Sequence, residues 1–389
     1  MKKNILFLAN YDKGWMGGVY YVKNQIAQLL SYQPARENLT IYLYGSGEIA
    51  AEYKTLLKYK NVHFIKTENI RKKLFYRLCK LYRDELDRDI LDADLMYLAV
   101  RYQISYIFPY FPKGSINQRF LLKKSISWIP DFQHVHYPQF FSKNEYRVRE
   151  REFYEISRKH NRLVLSSQDA CRDFRERYHN DSKRVYVIPF CSMLDKRDVM
   201  KNGIRQIKEK YGIEGDYFIV CNQFWVHKNH MIVFEALSRA VLCDKHIKVV
   251  CTGNMQDYRS RKYIAEVRNY IAAQGLEEHL FLLGLVPKYD QIQLMKGAAA
   301  VIQPSLFEGW GTVLEDAKTL GKKALLSDIA VHHEQADRLC TFFDPHNAEQ
   351  LAELMQQTFS EADAEKVSYQ YSVQSAEKYG KMFYEMIQQ

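Results

Sequence analysis

With 389 residues, 47% hydrophobic and 26% charged, the chain has the balance of a globular protein and the length for two to three domains. No apolar run reaches the roughly 18–20 residues that a membrane span needs, which argues against a spanning protein. The formal charge of +10 is uneven: residues 1–192 carry 33 Lys+Arg against 20 Asp+Glu, and the remainder carries 23 against 26. A basic N-terminal half favours an anionic partner, or is simply a solvated surface.

The opening stretch MKKNILFLANYDKGW has two lysines, but its apolar run is short and no small-residue cleavage site follows. It reads as a first strand over 4–10, not as a targeting segment. Further strands are predicted at 39–45, 61–67, 94–100, 125–131, 162–167 and 184–190, with helices at 19–32 and 144–160 between them. The second half repeats the rhythm, with strands at 217–222, 247–253, 279–284, 298–305, 322–328 and 340–345 and helices at 230–242 and 261–275. Gly275 and Gly321 stand where C-terminal helix caps belong. Apolar β runs alternating with amphipathic helices imply parallel sheets covered on both faces. The last helix carries Tyr379, Met382, Phe383 and Met386 at helical spacing.

The seven cysteines are odd in number and contain no CxxC pair. That fits a reducing cytoplasm and gives no zinc signature. Residues 70–83, IRKKLFYRLCKLYR, interleave Leu74, Leu78 and Leu81 with basic residues. Such a helix suits an anionic membrane surface, or a core position with a charged outer face.

In parallel α/β sheets ligands bind outside the carboxyl ends of the strands. Four strand-end loops therefore matter. In PSLFEGWGTVLEDAK (304–318) two carboxylates, Glu308 and Glu315, flank Gly309 and Gly311. Thr312-Val-Leu-Glu315 fits a capping box and a ligand contact equally well. Glu308 precedes the helix, where a buried carboxylate needs partners and ligand hydroxyls are suitable ones. In 217–237, Lys228 stands in a loop before a helix and suits phosphate as a point charge. Gly17-Gly18 follow the first strand, and Asp131, His134 and His136 follow the strand at 125–131.

The run PSLFEGWGTVLEDAKTLGKKALLSDI resembles the signature of the retaining glycosyltransferases of family 4, often called group 1. In most of that family seven residues separate the two glutamates; here six do, Gly309 to Leu314. The resemblance implies that Glu308 contacts the donor sugar and Glu315 the nucleotide ribose, with Gly309, Trp310, Gly311 and Thr312 lining the donor. YFIVCNQFWVHKNHMIVFEAL is similar to the segment opening the family's C-terminal domain, in which a Gly-Arg pair and a Lys hold the donor diphosphate. Lys228 matches the Lys, while Asn222-Gln223 replaces Gly-Arg, leaving one positive charge short. His227 and His230 are the candidates to replace it in part. Gly17-Gly18 resembles the N-domain glycine loop, and Asp131 the Asp of an H-D motif whose His is here Pro130. His134 is a nearby candidate toward the acceptor. Gly253 and Leu285 resemble a strand-end glycine and a base-contacting loop.

The resemblance implies a GT-B fold: two Rossmann-like domains facing across a cleft, 1–194 for the acceptor and 195–370 for the nucleotide sugar. A terminal helix at 371–389 crosses back to the N-domain. It implies a retaining hexosyltransferase that moves sugar from a nucleotide-diphosphate sugar to a glycan or lipid-linked acceptor, in bacterial surface polysaccharide or lipopolysaccharide synthesis. Catalytic weight falls on Glu308, Lys228, Asp131 and His134. No cofactor or metal is expected, and no nucleic-acid partner. The expected location is cytoplasmic, at the inner face of the membrane. The competing readings are an inactive glycosyltransferase-like scaffold and a basic membrane- or nucleic-acid-binding module.

Overall fold

The structure, a computed structural model, describes residues 2–9, 16–48, 50–71, 93–110, 119–159, 162–179, 184–257, 260–360 and 370–389. The chain divides into two compact units, Met1–Met193 with Val373–Gln389, and Leu194–Ser372.

In the first unit, β1 (Lys3–Leu8), β2 (Leu39–Gly45), β3 (Val62–Lys66) and β4 (Ile104–Phe108) form a parallel sheet in the order β3-β2-β1-β4. β5 (Ile126–Ile129), β6 (Arg162–Leu165) and β7 (Arg184–Val187) form a second parallel set, joined to the first by the bridge Ile107↔Ser125. Ile5, Leu6 and Phe7 of the central β1 are fully buried, as a strand covered on both faces requires.

The expected strand at 94–100 is instead the helix Ala93–Arg101. Its apolar run buries Leu95, Leu98 and Ala99, a helical spacing, against Ile104 and Ile107. The strand in that place is β4, whose aromatic-rich ISYIF the sequence reading passed over. The first helix, Met16–Ser31, also starts earlier than expected and takes Gly17 and Gly18 into its first turn. The basic stretch 72–83 and Cys79 lie outside the described residues. None of the described helices is long and apolar enough to cross a membrane.

The terminal helix Gln370–Gln388 packs from Val373 onward with the first unit. Phe383 stacks near Phe7 at 6.1 Å and meets Phe108 edge-on at 5.0 Å. Gly380 lies so close to the helix Met16–Ser31 that a Cβ there would fall 2.0 Å from the Gln28 carbonyl oxygen.

In the second unit, β8 (Phe218–Val220), β9 (Val249–Thr252), β10 (Leu280–Gly284), β11 (Val301–Gln303), β12 (Ala324–Ser327) and β13 (Cys340–Phe343) form one parallel sheet. Its order is β10-β9-β8-β11-β12-β13. Strand order runs outward in both directions from the β8/β11 pair, so that pair is the switch point at which such sheets open a binding crevice. Cys221 and Cys251 are buried, and burial pushes the Cys221 thiol up to about 11, so both act as inert packing groups.

Candidate functional site

The loops leaving β8 and β11 meet at the switch point. Asn222 Nδ2 donates to Gln303 Oε1 at 3.0 Å, and Gln303 Nε2 donates to Glu308 Oε1 at 2.7 Å. Ser305 Oγ donates to the same oxygen at 2.7 Å, and Lys228 Nζ does so at 2.5 Å. Three donors thus converge on Oε1. Among the described residues Oε2 accepts no hydrogen bond, which leaves one carboxylate oxygen for another partner. Burial pushes the Glu308 pKa up, but Lys228 and Ser305 more than offset it and hold the carboxyl below its usual range. The side chains of Lys228 and Glu308 are 15% and 9% exposed, so this ion pair works at reduced dielectric and yet is reachable.

Local backbone explains the approach of these loops. Lys228 ends a 3-10 turn, Val226–Lys228, and Asn229 follows with a left-handed backbone before the helix His230–Cys243. Leu306 N–H donates to the His227 carbonyl at 2.8 Å, tying the two loops together. Gly253 ends β9 with φ +140°, and a Cβ there would lie 2.1 Å from the Asn222 carbonyl oxygen. Only glycine allows that crossing. Leu285, just after β10, is 75% exposed. Gln223 is half-buried, and its carbonyl accepts from Trp225 N–H at 2.8 Å.

Glu315 is a different case. It lies in the first turn of the helix Thr312–Thr319 and is completely buried. The capping box is not formed: Gly311 is the N-cap, and the Glu315 carboxylate bonds elsewhere. Oε1 accepts from Gln335 Nε2 at 3.0 Å and from Lys318 Nζ at 3.5 Å, and Oε2 accepts from Tyr371 OH at 2.8 Å. Burial pushes its pKa above the usual range, with Lys318, Gln335 and Tyr371 pulling the other way. Gln335 also brackets Gly311, accepting from its N–H at 2.8 Å and donating to its carbonyl at 3.1 Å. The Gly311 amide is therefore committed to protein and not offered to an anion. Gly309, Trp310 and Thr312 are half-buried along the same loop.

Other sequence candidates are placed less favourably. His230 is fully buried and stacks on Phe224 at 4.0 Å. Burial pushes it down to about 3, so it supplies no positive charge in place of the missing Arg. In the first unit His134 is fully buried, with Nε2 2.8 Å from Glu150, which Arg177 grips in turn. Its ring is enclosed by Phe153, Phe141 and Tyr146, a setting that suits a core histidine and presents no edge to an acceptor. Asp131 accepts from Gln133 N–H at 3.0 Å and lies 3.6 Å from Arg149; His136 lies 2.9 Å from Asp173. Gly17 and Gly18 are helical residues here, not a loop.

The sequence reading missed Gln303, Ser305, Gln335 and Tyr371. A glutamine ending an otherwise apolar strand was a signal for the first; the others are set by tertiary proximity alone.

Residues 203–374 match the family of glycosyl transferases group 1. The O-antigen chain mannosyltransferase RfbU of Salmonella typhimurium is 24% identical over 227 residues, 58% of this chain and 58% of that protein. The match thus spans little more than half the length of that relative. Among solved structures, Anabaena Alr3699/HepE in complex with UDP and glucose superposes with a TM-score of 0.59 at 16% identity, covering 99% of this chain and 95% of that one. WaaG, a glycosyltransferase involved in lipopolysaccharide biosynthesis, gives 0.58 at 15% identity over 97% and 95%. At these identities the likeness concerns the fold, which is GT-B.

Proposed function

We propose that this chain, whose residues 203–374 match the group 1 glycosyl transferases, moves a sugar from a nucleotide-diphosphate sugar to an acceptor hydroxyl. The observation that carries the reading is the half-satisfied Glu308 carboxylate beside Lys228 at the β8/β11 switch point. Oε1 is saturated by protein donors, so the side chain is fixed before any ligand arrives. Oε2 is left to accept from a donor-sugar hydroxyl. Lys228 keeps two further N–H groups for the diphosphate, whose negative charge grows as the glycosidic bond breaks. A preplaced cation at reduced dielectric stabilises that charge without reorganisation.

In the step we infer, the bond from the anomeric carbon to the diphosphate oxygen breaks and a bond to the acceptor oxygen forms on the same face. The acceptor proton passes to the departing diphosphate. That accounts for retention without a separate protein base. Glu308 orients the sugar; Lys228 holds the leaving group. That RfbU is an O-antigen chain mannosyltransferase supports a hexosyl donor and an acceptor of the surface-polysaccharide class, and the complex of HepE with UDP and glucose supports a nucleoside diphosphate donor. With its +13 half the first unit suits a lipid-linked acceptor at an anionic membrane surface.

The test needs no known acceptor. Thermal shifts with UDP, GDP, UDP-glucose and GDP-mannose identify the base, and nucleoside diphosphate release reports slow transfer to water. Lys228→Ala and Glu308→Gln are each expected to lower release about a hundredfold. Wild type that responds to none of the four, or variants that turn over like wild type, would overturn the reading.

A further inference from the structure

The short helix after β12 carries a buried histidine. His332 lies in the helix Ala330–Gln335 and is fully buried. Its Nδ1 lies 2.8 Å from the Ser327 carbonyl oxygen and 3.2 Å from Ser327 Oγ. A carbonyl only accepts, so Nδ1 carries the proton and Nε2 is left as a bare acceptor. Among the described residues Nε2 has no hydrogen-bond partner. A buried polar atom left in this state calls for an explanation, and a bound group is one.

The ring is tied to the site already described. Ser327 Oγ donates to the Ser305 carbonyl at 2.6 Å, and Ser305 Oγ donates to Glu308 Oε1 at 2.7 Å. Ser327 and Ser305 therefore connect His332 to the carboxylate. The ring also senses Glu308 and Lys228 electrostatically, while burial, the dominant influence, keeps it neutral. A neutral acceptor next to a carboxylate suits a ligand that presents several hydroxyl donors. It does not suit a phosphate, which brings acceptors only.

We propose that His332 is a specificity residue for the transferred sugar, its Nε2 accepting a hydrogen bond from a sugar hydroxyl while Glu308 Oε2 accepts from another. The inference rests on the donor-site reading above and adds a residue that discriminates the sugar from the nucleotide. His332→Asn keeps an N–H toward Ser327 but removes the Nε2 acceptor. His332→Gln restores a polar atom near the Nε2 position.

Calorimetric titration of the full chain with UDP, GDP, UDP-glucose and GDP-mannose separates the cases. His332→Asn is expected to bind the cognate sugar nucleotide about tenfold more weakly, with the matching nucleoside diphosphate unchanged. His332→Gln is expected to recover part of the loss. Equal weakening of both ligands, or of neither, overturns the inference while leaving the donor site intact. Wild type that binds none of the four overturns the donor-site reading and this inference together. Should His332→Asn fail to fold, His332→Gln must stay within about threefold of wild type for the sugar nucleotide, and a larger loss shared by the nucleoside diphosphate overturns the inference.

Discussion

Glu315 is buried and Glu308 nearly so, yet they are shifted in opposite directions, and the signs decide how each affects stability. Glu308 has a folded pKa below its ordinary value of 4.5. Its contribution is present above the unfolded pKa and is lost as pH falls through the folded one. Glu315 has a folded pKa above 4.5, so its contribution is present below the unfolded pKa and is lost as pH rises through the folded one. Glu308→Gln should cost about 3 kcal/mol at pH 7, because it leaves Lys228 beside a neutral group in a poorly solvated place. Glu315→Gln should cost less, about 1–2 kcal/mol at pH 7, because burial already opposes its charge and Lys318, 3.5 Å from it, keeps the Gln335 carbonyl at 2.6 Å. Urea melts between pH 3 and 8 check both: a similar loss in the two variants across that range would contradict the opposite shifts. Both glutamates were legible in the sequence because motif spacing marks them. Their partners were not. Tyr371 lies 56 positions from Glu315, and nothing local in YSVQSAEKYG announces a phenol that reaches back to it. The capping-box pattern was equally misleading, because Gly311 takes the N-cap and Gln335 claims its amide.

Between residues and domains, strand ends and helix starts hold the site in place, and here the apolar patterns were informative where burial is two-sided. All six strands of the second unit fall inside predicted runs, from YFIVCN to CTFFDP, because a strand covered on both faces must be continuously apolar. The same rule misread DLMYLAV, since a short apolar run does not distinguish a strand from a buried helix. Loop conformation was the least legible feature. CTGN gave no sign that Gly253 adopts φ +140° with the Asn222 carbonyl against its α-carbon. Gly253→Ala places a methyl 2.1 Å from backbone oxygen and forces a residue with a side chain into a region it rarely adopts. The expected cost is about 3 kcal/mol or more, read as a lower urea midpoint. Nucleotide binding should weaken with it, because the displaced strand end carries Asn222, which holds Gln303 and through it Glu308. A variant as stable as wild type would show that the β8 loop has room to retreat.

At the scale of the whole molecule, residues 373–389 return to the unit formed by residues 1–193, and the contact that makes this happen can be tested on one atom. Tyr379, Met382, Phe383 and Met386 marked the terminal helix as amphipathic, but periodicity names a face, not its partner. What specifies the partner is Gly380, buried where the terminal helix meets the helix Met16–Ser31. Without a side chain the two backbones approach closely enough for Phe383 to reach Phe7 and Phe108. Gly380→Ala sets two effects against each other. In an isolated helix alanine is better than glycine by about 1 kcal/mol. In the folded chain its Cβ would fall 2.0 Å from the Gln28 carbonyl oxygen and 3.2 Å from the Leu29 nitrogen, both backbone atoms that cannot turn aside. Moving the helix outward to relieve this loses the buried contacts of Phe383, Met386 and Ile387. Packing should win, with a net loss of about 2–3 kcal/mol and faster proteolytic release of the terminal helix. The measurement is a pair: circular dichroism of a peptide spanning 370–389 should show more helix with the substitution, while urea denaturation of the full chain should show less stability. Agreement in sign between the two would mean that helix propensity, not the crossing at Gly380, governs how this chain returns to its first unit.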